Sequence, residues 1–207
     1  MASLKRLGLA LVLTLTFCAL ATSASASNIV LNPGFETGDF TSWVVNDGTW
    51  SVSNSNPSGV TPHSGQAFAW TGCVGIGCID PGPNGAWFYQ DLPTTIGQSY
   101  SLSFWYHPLG TPDELQVRWG GNVAVDIINQ PNGPYAMFLA TVVATSATTR
   151  LEFLGRQDPG WNGVDDICVD TPNGSCASAA AVPEPMSLVL LGSGLVGLRR
   201  LTHNRKS

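Results

Sequence analysis

Tyr100-Ser101-Leu102-Ser103-Phe104-Trp105-Tyr106 decides the fold class. Serines 101 and 103 alternate with Leu102 and the aromatic positions, so an extended chain here turns one apolar face inward and a wetter face outward. Working outward, runs rich in β-branched and aromatic residues recur at 29–31, 43–45, 49–53, 67–70, 86–92, 100–107, 114–119, 123–128, 135–144, 148–154 and 164–169, separated by Gly, Pro, Asn and Asp. Between the two chain ends no stretch shows a helical period. Ten or so short strands with turn residues between them specify an all-β protein, a jelly-roll β-sandwich.

The ends have a different composition. Lys5 and Arg6, an apolar stretch at 7–20 and a small-residue stretch to Ser27 have the three parts of a secretory signal peptide, assigned to residues 1–26 as a signal helix cut after Ala26 or Ser27. Cys18 follows Phe17 inside the apolar part, which argues against lipoprotein processing. The sandwich domain occupies 28–171, one domain large enough for a substantial core. A small-residue linker covers 172–181, and 182–207 carry Pro183-Glu184-Pro185, an apolar run at 186–198 and the pair Arg199-Arg200. At about 1.5 Å rise per residue, that run forms a short apolar helix that falls short of the roughly 30 Å hydrocarbon core. The positive charge beyond it holds the tail end in the cytoplasm while the rest crosses the inner membrane.

This tripartite ending resembles that of PEP-CTERM proteins of Gram-negative bacteria. The resemblance implies an exosortase-type processing enzyme as partner, the inner membrane as a transit station, and the cell surface or extracellular matrix as destination. A plain tail anchor is the alternative.

Charge narrows the partners. Residues 27–181 hold 13 acidic residues against Arg118, Arg150 and Arg156, a net charge of −10, because most of the basic residues lie in the two ends. Nucleic acid is excluded as a partner, since neutralising phosphates needs clustered Lys or Arg. Cation binding is compatible with that balance. Four cysteines remain in the exported part, and in an oxidising compartment they read first as disulfides. Of the three pairings, Cys73 with Cys78 and Cys168 with Cys176 are preferred, because each closes a short Gly-containing segment. A zinc site is the competitor, but its His residues are sparse and the spacings fit no familiar finger.

The stretch Asn28-Ile-Val-Leu-Asn-Pro-Gly-Phe-Glu36-Thr-Gly-Asp-Phe-Thr-Ser-Trp43 and the ending Trp161-Asn-Gly-Val-Asp165-Asp166-Ile-Cys-Val-Asp170 resemble the first and last segments of the carbohydrate-binding-module type of galactose-binding-like jelly roll. Segments beginning at Gly97 and Leu115 fit between them. The resemblance implies that Glu36, Asp165 and Asp166 hold a structural calcium ion, helped by backbone carbonyls near 32–38. Close carboxylates repel unless a proton or a cation bridges them, and calcium takes six to eight oxygen ligands. Asp165 is the better ligand of the pair, because it shares the inward parity of Ile167 and Val169, leaving Asp166 outward with Cys168. Solvated carboxylates in turns are the plain alternative.

Seven tryptophans supply platforms for sugar rings. Trp50, Trp70, Trp87, Trp119 and Trp161 are candidates, and Trp43 and Trp105 are assigned to the core. The loop 155–163, with Arg156, Asp158 and Trp161, reads as most suited to a ligand, with Trp119 as a further contact. Nothing supports catalysis: His63, His107 and His203 are scattered, Pro62-His63-Ser64 lacks a nucleophile elbow, and no cleft signature accompanies the carboxylates that a glycosidase would need. The sequence therefore reads as an exported, non-catalytic surface or matrix protein that binds extracellular polysaccharide. A purely structural or adhesive protein, and less favoured a polysaccharide hydrolase, are the alternatives.

Overall fold

Alternation along the chain becomes ten strands among the described residues, which in this computed structural model are 28–171 without Asp47, together with Gly174 and Cys176. They are β1 (Val44–Val45), β2 (Ser51–Ser53), β3 (Phe68–Thr71), β4 (Trp87–Pro93), β5 (Ser99–His107), β6 (Asp113–Trp119), β7 (Asn122–Ile128), β8 (Ala136–Val143), β9 (Thr148–Gln157) and β10 (Asn162–Asp170). The signal peptide, Pro183-Glu184-Pro185, the apolar run and Arg199-Arg200 lie outside the described residues. Within them, no helix is long and apolar enough to cross a membrane.

Two five-stranded sheets form, in the orders β1-β4-β9-β6-β7 and β2-β3-β10-β5-β8. All pairings are antiparallel. The jelly-roll sandwich expected from the alternation is the architecture observed. In β5 the aromatic and leucine positions 100, 102, 104 and 106 face the opposite sheet and are buried. They meet Phe88 of β4 and Phe153 of β9, whose rings stack at 5.0 Å and 4°. Each fully buried Phe of this kind contributes about 1.5–3 kcal/mol of transfer free energy.

The strand expected at 29–31 does not form a ladder. Ile29 donates one backbone bond to the Val169 carbonyl, and the Asn28 side chain brackets β10, donating to the Ile167 carbonyl and accepting from the Val169 N–H. Leu31 turns away because the buried Gln90 amide takes both its N–H and its C=O. The first segment still lies beside the last strand, as the jelly roll requires.

Both preferred disulfides are present. Cys73 and Cys78 join with Cα atoms 5.9 Å apart, around a 3-10 turn at Ile76–Ile79, and Cys168 and Cys176 join at 5.4 Å.

One irregularity repositions the acidic residues. Val164 pairs with Tyr106 and Asp165 with Trp105, but the next pair is Cys168 with Ser103, so β10 carries one residue more than β5. Asp166, at φ 49°, absorbs it as a bulge. Asp165 therefore shares the outer face with Trp105, and Ile167 returns to the core. This corrects the inward parity expected for Asp165: counting by twos fails across a bulge.

Candidate functional site

An outward carboxylate is ordinarily solvated, yet Asp165 is fully buried. The segment before β3 folds over it. His63 and Ser64 donate backbone N–H groups to Asp165 Oδ2 at 2.8 and 3.1 Å, and the Asp166 N–H donates to Oδ1 at 2.8 Å. Asp166 in turn takes the Ser64 hydroxyl at 2.7 Å and lies 2.6 Å from His63 Nδ1. Glu36 receives the Gln66 N–H. Gly65 adopts φ +62°, which favours glycine, and a side chain there would displace the Glu36 carboxylate.

The three expected ligands thus come together from opposite ends of the domain. A methyl group added at Gly34 would lie 3.4 Å from Asp166 Oδ1, 3.5 Å from Asp165 Oδ1 and 3.7 Å from Glu36 Oε1, so the missing side chain leaves a hollow walled by acidic oxygens. Burial, and then the neighbouring Asp166 charge, push the Asp165 carboxyl up to about 7. The oxygen-only donor set suits a hard cation. Among the described residues, however, no three Asp, Glu, His or Cys side chains stand close enough to grip a metal ion as they are.

A second feature is aromatic. Trp70 leaves β3 on the outer face, and Trp161 precedes β10; their rings meet edge to face at 4.8 Å and 82°. Ser53 Oγ accepts the Trp70 indole N–H at 2.8 Å and fixes that ring. Trp161 packs against Gly72, where a side chain would enter its six-membered ring. Both indoles are half-buried and open on a cleft of about 380 Å³, completed by Thr49, Ser51 and Cys73.

Arg156 and Asp158, expected to touch ligand, instead bind each other: the Arg156 Nε and Nη2 groups both donate to Asp158 Oδ2. Asp158 Oδ1 also accepts the Gly75 N–H at 2.8 Å, and the Gln157 N–H bonds the Cys73 carbonyl at 2.8 Å. This ion pair and the Cys73–Cys78 disulfide hold the loop that walls the Trp cleft, so Arg156 and Asp158 position the site and do not line it.

Other aromatic positions also need correction. Trp119 is 5% exposed, packs on Tyr100 and donates to the Val143 carbonyl, so it offers no face to a ligand. Trp50 is equally buried, against Phe88. Trp105, assigned to the core, is half-buried on the outer face and stacks with His63 at 3.8 Å and 15°. Trp43 is core, as expected. The three arginines project from the outer face of the other sheet; Arg150 lies 3.5 Å above the Tyr89 ring, held by both carboxylate oxygens of Asp91. They form no unpaired basic patch. Thr49 and Ser51, which line the Trp cleft, carry no signal in the sequence, because their place beside Trp161 depends on β2, β3 and β10 being neighbours.

No family model matches the chain, and no curated protein is significantly similar to it in sequence. Solved structures are similar in shape. TmCBM61, determined in complex with β-1,4-galactotriose, matches at 20% identity and TM-score 0.51, over 70% of this chain and 99% of that one. The N-terminal CBM22-1-CBM22-2 tandem of Paenibacillus barcinonensis Xyn10C matches at 13% identity and TM-score 0.50, over 80% of this chain and 49% of that one, so this chain spans about half of the tandem. At these identities the likeness concerns architecture. The chain folds as the jelly roll found in carbohydrate-binding modules.

Proposed function

We propose that this protein is an exported, non-catalytic carbohydrate-binding module that holds extracellular polysaccharide at the Trp70–Trp161 cleft. The observation that carries it is the meeting of two half-exposed indoles, 91 positions apart in sequence, on a cleft edged by hydroxyls. A sugar ring buries its C–H face on an indole and hydrogen-bonds at its rim, and this cleft provides both surfaces. The neighbours with the same fold include one solved with β-1,4-galactotriose, which makes β-1,4-galacto-oligosaccharides the first probes.

Calcium supports the site from a distance. Asp165, Asp166 and Glu36 would hold it in the hollow beside Gly34, where its charge offsets the repulsion among three carboxylates and pins the segment at 63–66 to β10. Export rests on the signal-peptide pattern and the two disulfides. Delivery through the inner membrane to the surface or matrix, with trimming by an exosortase-type enzyme, rests on Pro183-Glu184-Pro185 and Arg199-Arg200.

A glycan array with the parent protein and Trp161→Ala tests the binding reading. Binding by the parent, reduced at least tenfold in the variant, is expected. A parent that binds nothing and turns nothing over would leave a structural or adhesive surface role. Intact mass of the protein recovered from cell fractions tests the sorting reading, which requires loss of the tail after 182 and recovery outside the inner membrane.

A further inference from the structure

Four polar side chains meet inside one end of the core. Tyr106 of β5, Asp113 at the start of β6, Gln157 at the end of β9 and Asn162 at the start of β10 are each no more than 2% exposed. Asp113 and Gln157 stand opposite each other in the β6–β9 ladder, and both are buried. The Tyr106 hydroxyl donates to Asp113 Oδ2 at 2.8 Å, and the Asn162 amide lies against the same hydroxyl. The four groups form one knot, and the loop that carries Trp161 springs from two of them, Gln157 and Asn162.

The knot holds acceptors without donors to match. Asp113 Oδ1, Gln157 Oε1 and Asn162 Oδ1 are enclosed and accept no hydrogen bond among the described residues. Turning either amide over would only move the deficit. Gln157 Nε2 already donates to the Leu109 and Gly110 carbonyls at 2.7 and 3.2 Å, and Asn162 Nδ2 to the Arg156 carbonyl at 2.8 Å. Enclosed acceptors left unmet are costly. The charge is unmet as well: the ion pairs among the described residues leave Asp113 out, and burial pushes its carboxyl up.

Three occupants differ in what they satisfy. A water donates two protons and leaves the charge, whereas a proton on Asp113 removes the charge and supplies a single donor. A cation answers the charge and all three oxygens together. The ligands are hard oxygens, one carboxylate and two amides. One positive charge leaves the knot neutral, while a divalent ion would leave an excess charge in the core. We infer that Asp113, Gln157 and Asn162 bind a hard monovalent cation, sodium or potassium, as a structural ion at the root of the Trp161 loop. With only one acidic ligand, this site differs in kind from the hollow beside Gly34, and it fits the lack of any three-way Asp, Glu, His or Cys cluster among the described residues. It stands whether or not the Trp cleft binds sugar.

Thermal unfolding of the full exported protein tests it, in EGTA and at one ionic strength of sodium, potassium or tetramethylammonium chloride. Tetramethylammonium is too large for the core, so Tm should be at least about 3 °C higher in sodium or potassium and should saturate with concentration. The more effective salt identifies the ion. Asp113→Asn keeps an acceptor for Tyr106 and brings N–H donors of its own to the orphan oxygens, so it should fold and lose the rise. Asp165→Asn should keep the rise in full. The sodium nuclear magnetic resonance line should broaden with the parent, sharpen again when potassium is added, and stay sharp with Asp113→Asn. Equal Tm in all three salts with an unbroadened sodium line means water and a proton in the knot, and overturns the inference. A rise retained in Asp113→Asn, or lost in Asp165→Asn, places the ion elsewhere and overturns it too.

Discussion

Raising the pH from 5 to 8 in the presence of a chelator should destabilise the domain, with Asp165 as the cause. Its carboxyl titrates near 7 in the folded protein, because burial and the adjacent Asp166 disfavour the charge, whereas an aspartate in the unfolded chain titrates near 3.9. The folded state therefore binds this proton more tightly than the unfolded state. Its contribution is fully favourable below about pH 4, declines as pH rises, and levels off above about 7. Linking the two titrations gives a loss of ~2.5 kcal/mol between pH 5 and pH 8, most of it complete by pH 7. For a domain of this size that corresponds to a fall of roughly 5–10 °C in Tm. The assay is thermal or urea unfolding at half-unit pH steps in EDTA, for the parent and Asp165→Asn. The asparagine keeps an oxygen for the His63 and Ser64 N–H groups but cannot ionise, so its profile should be flat by comparison, which also separates Asp165 from His63, Glu36 and Asp166 around it. Calcium should cancel the slope in the parent, since a bound cation favours the ionised carboxylate. Equal slopes in parent and variant would refute this account of Asp165, and a parent indifferent to calcium at pH 8 would refute the metal site.

Three further outcomes follow from packing. Gly72→Ala places a methyl group in the Trp161 ring and should lower sugar affinity at least tenfold with an unchanged far-UV circular dichroism spectrum. Phe153→Ala removes the ring stacked on Phe88 and should cost about 3–5 kcal/mol in urea unfolding. Replacing Cys73 and Cys78 together by serine opens a loop of sequence separation 5; it should cost about 2 kcal/mol by loop entropy and weaken sugar binding, because Cys73 borders the Trp cleft.

What could be read from the sequence, and what could not, divides along a physical line. Strand periodicity is local, so β5 and most of its companions were legible from alternation, as were the two short disulfide loops. The convergence of Glu36 with Asp165 and Asp166 was legible from the resemblance of the two ends to a known jelly roll. The side of β10 on which Asp165 falls was not, because the bulge at Asp166 is defined by a mismatch with β5 and leaves no mark in the text of β10 alone. Trp105 escaped for a similar reason: alternation gives Tyr106 or Trp105 to the core, and only the strap carrying His63 explains a half-buried tryptophan outside it.

Trp119 and Trp161 show the distinction most sharply, since both stand next to glycine at the end of a strand and both looked available to a ligand. For Trp119 the answer was present locally: Leu115, Val117 and Trp119 share one parity, and all three are buried. For Trp161 no local rule decides, because its ring is placed by Gly72 and Trp70, roughly ninety residues earlier. A tryptophan in phase with its strand is held by the core it helps to form, while one lying just outside a strand is free to be placed by whatever the sheet brings beside it. That freedom is what lets Trp161 form a surface with Trp70, and it is why the binding site of this domain is set by strand order more than by any single stretch of its sequence.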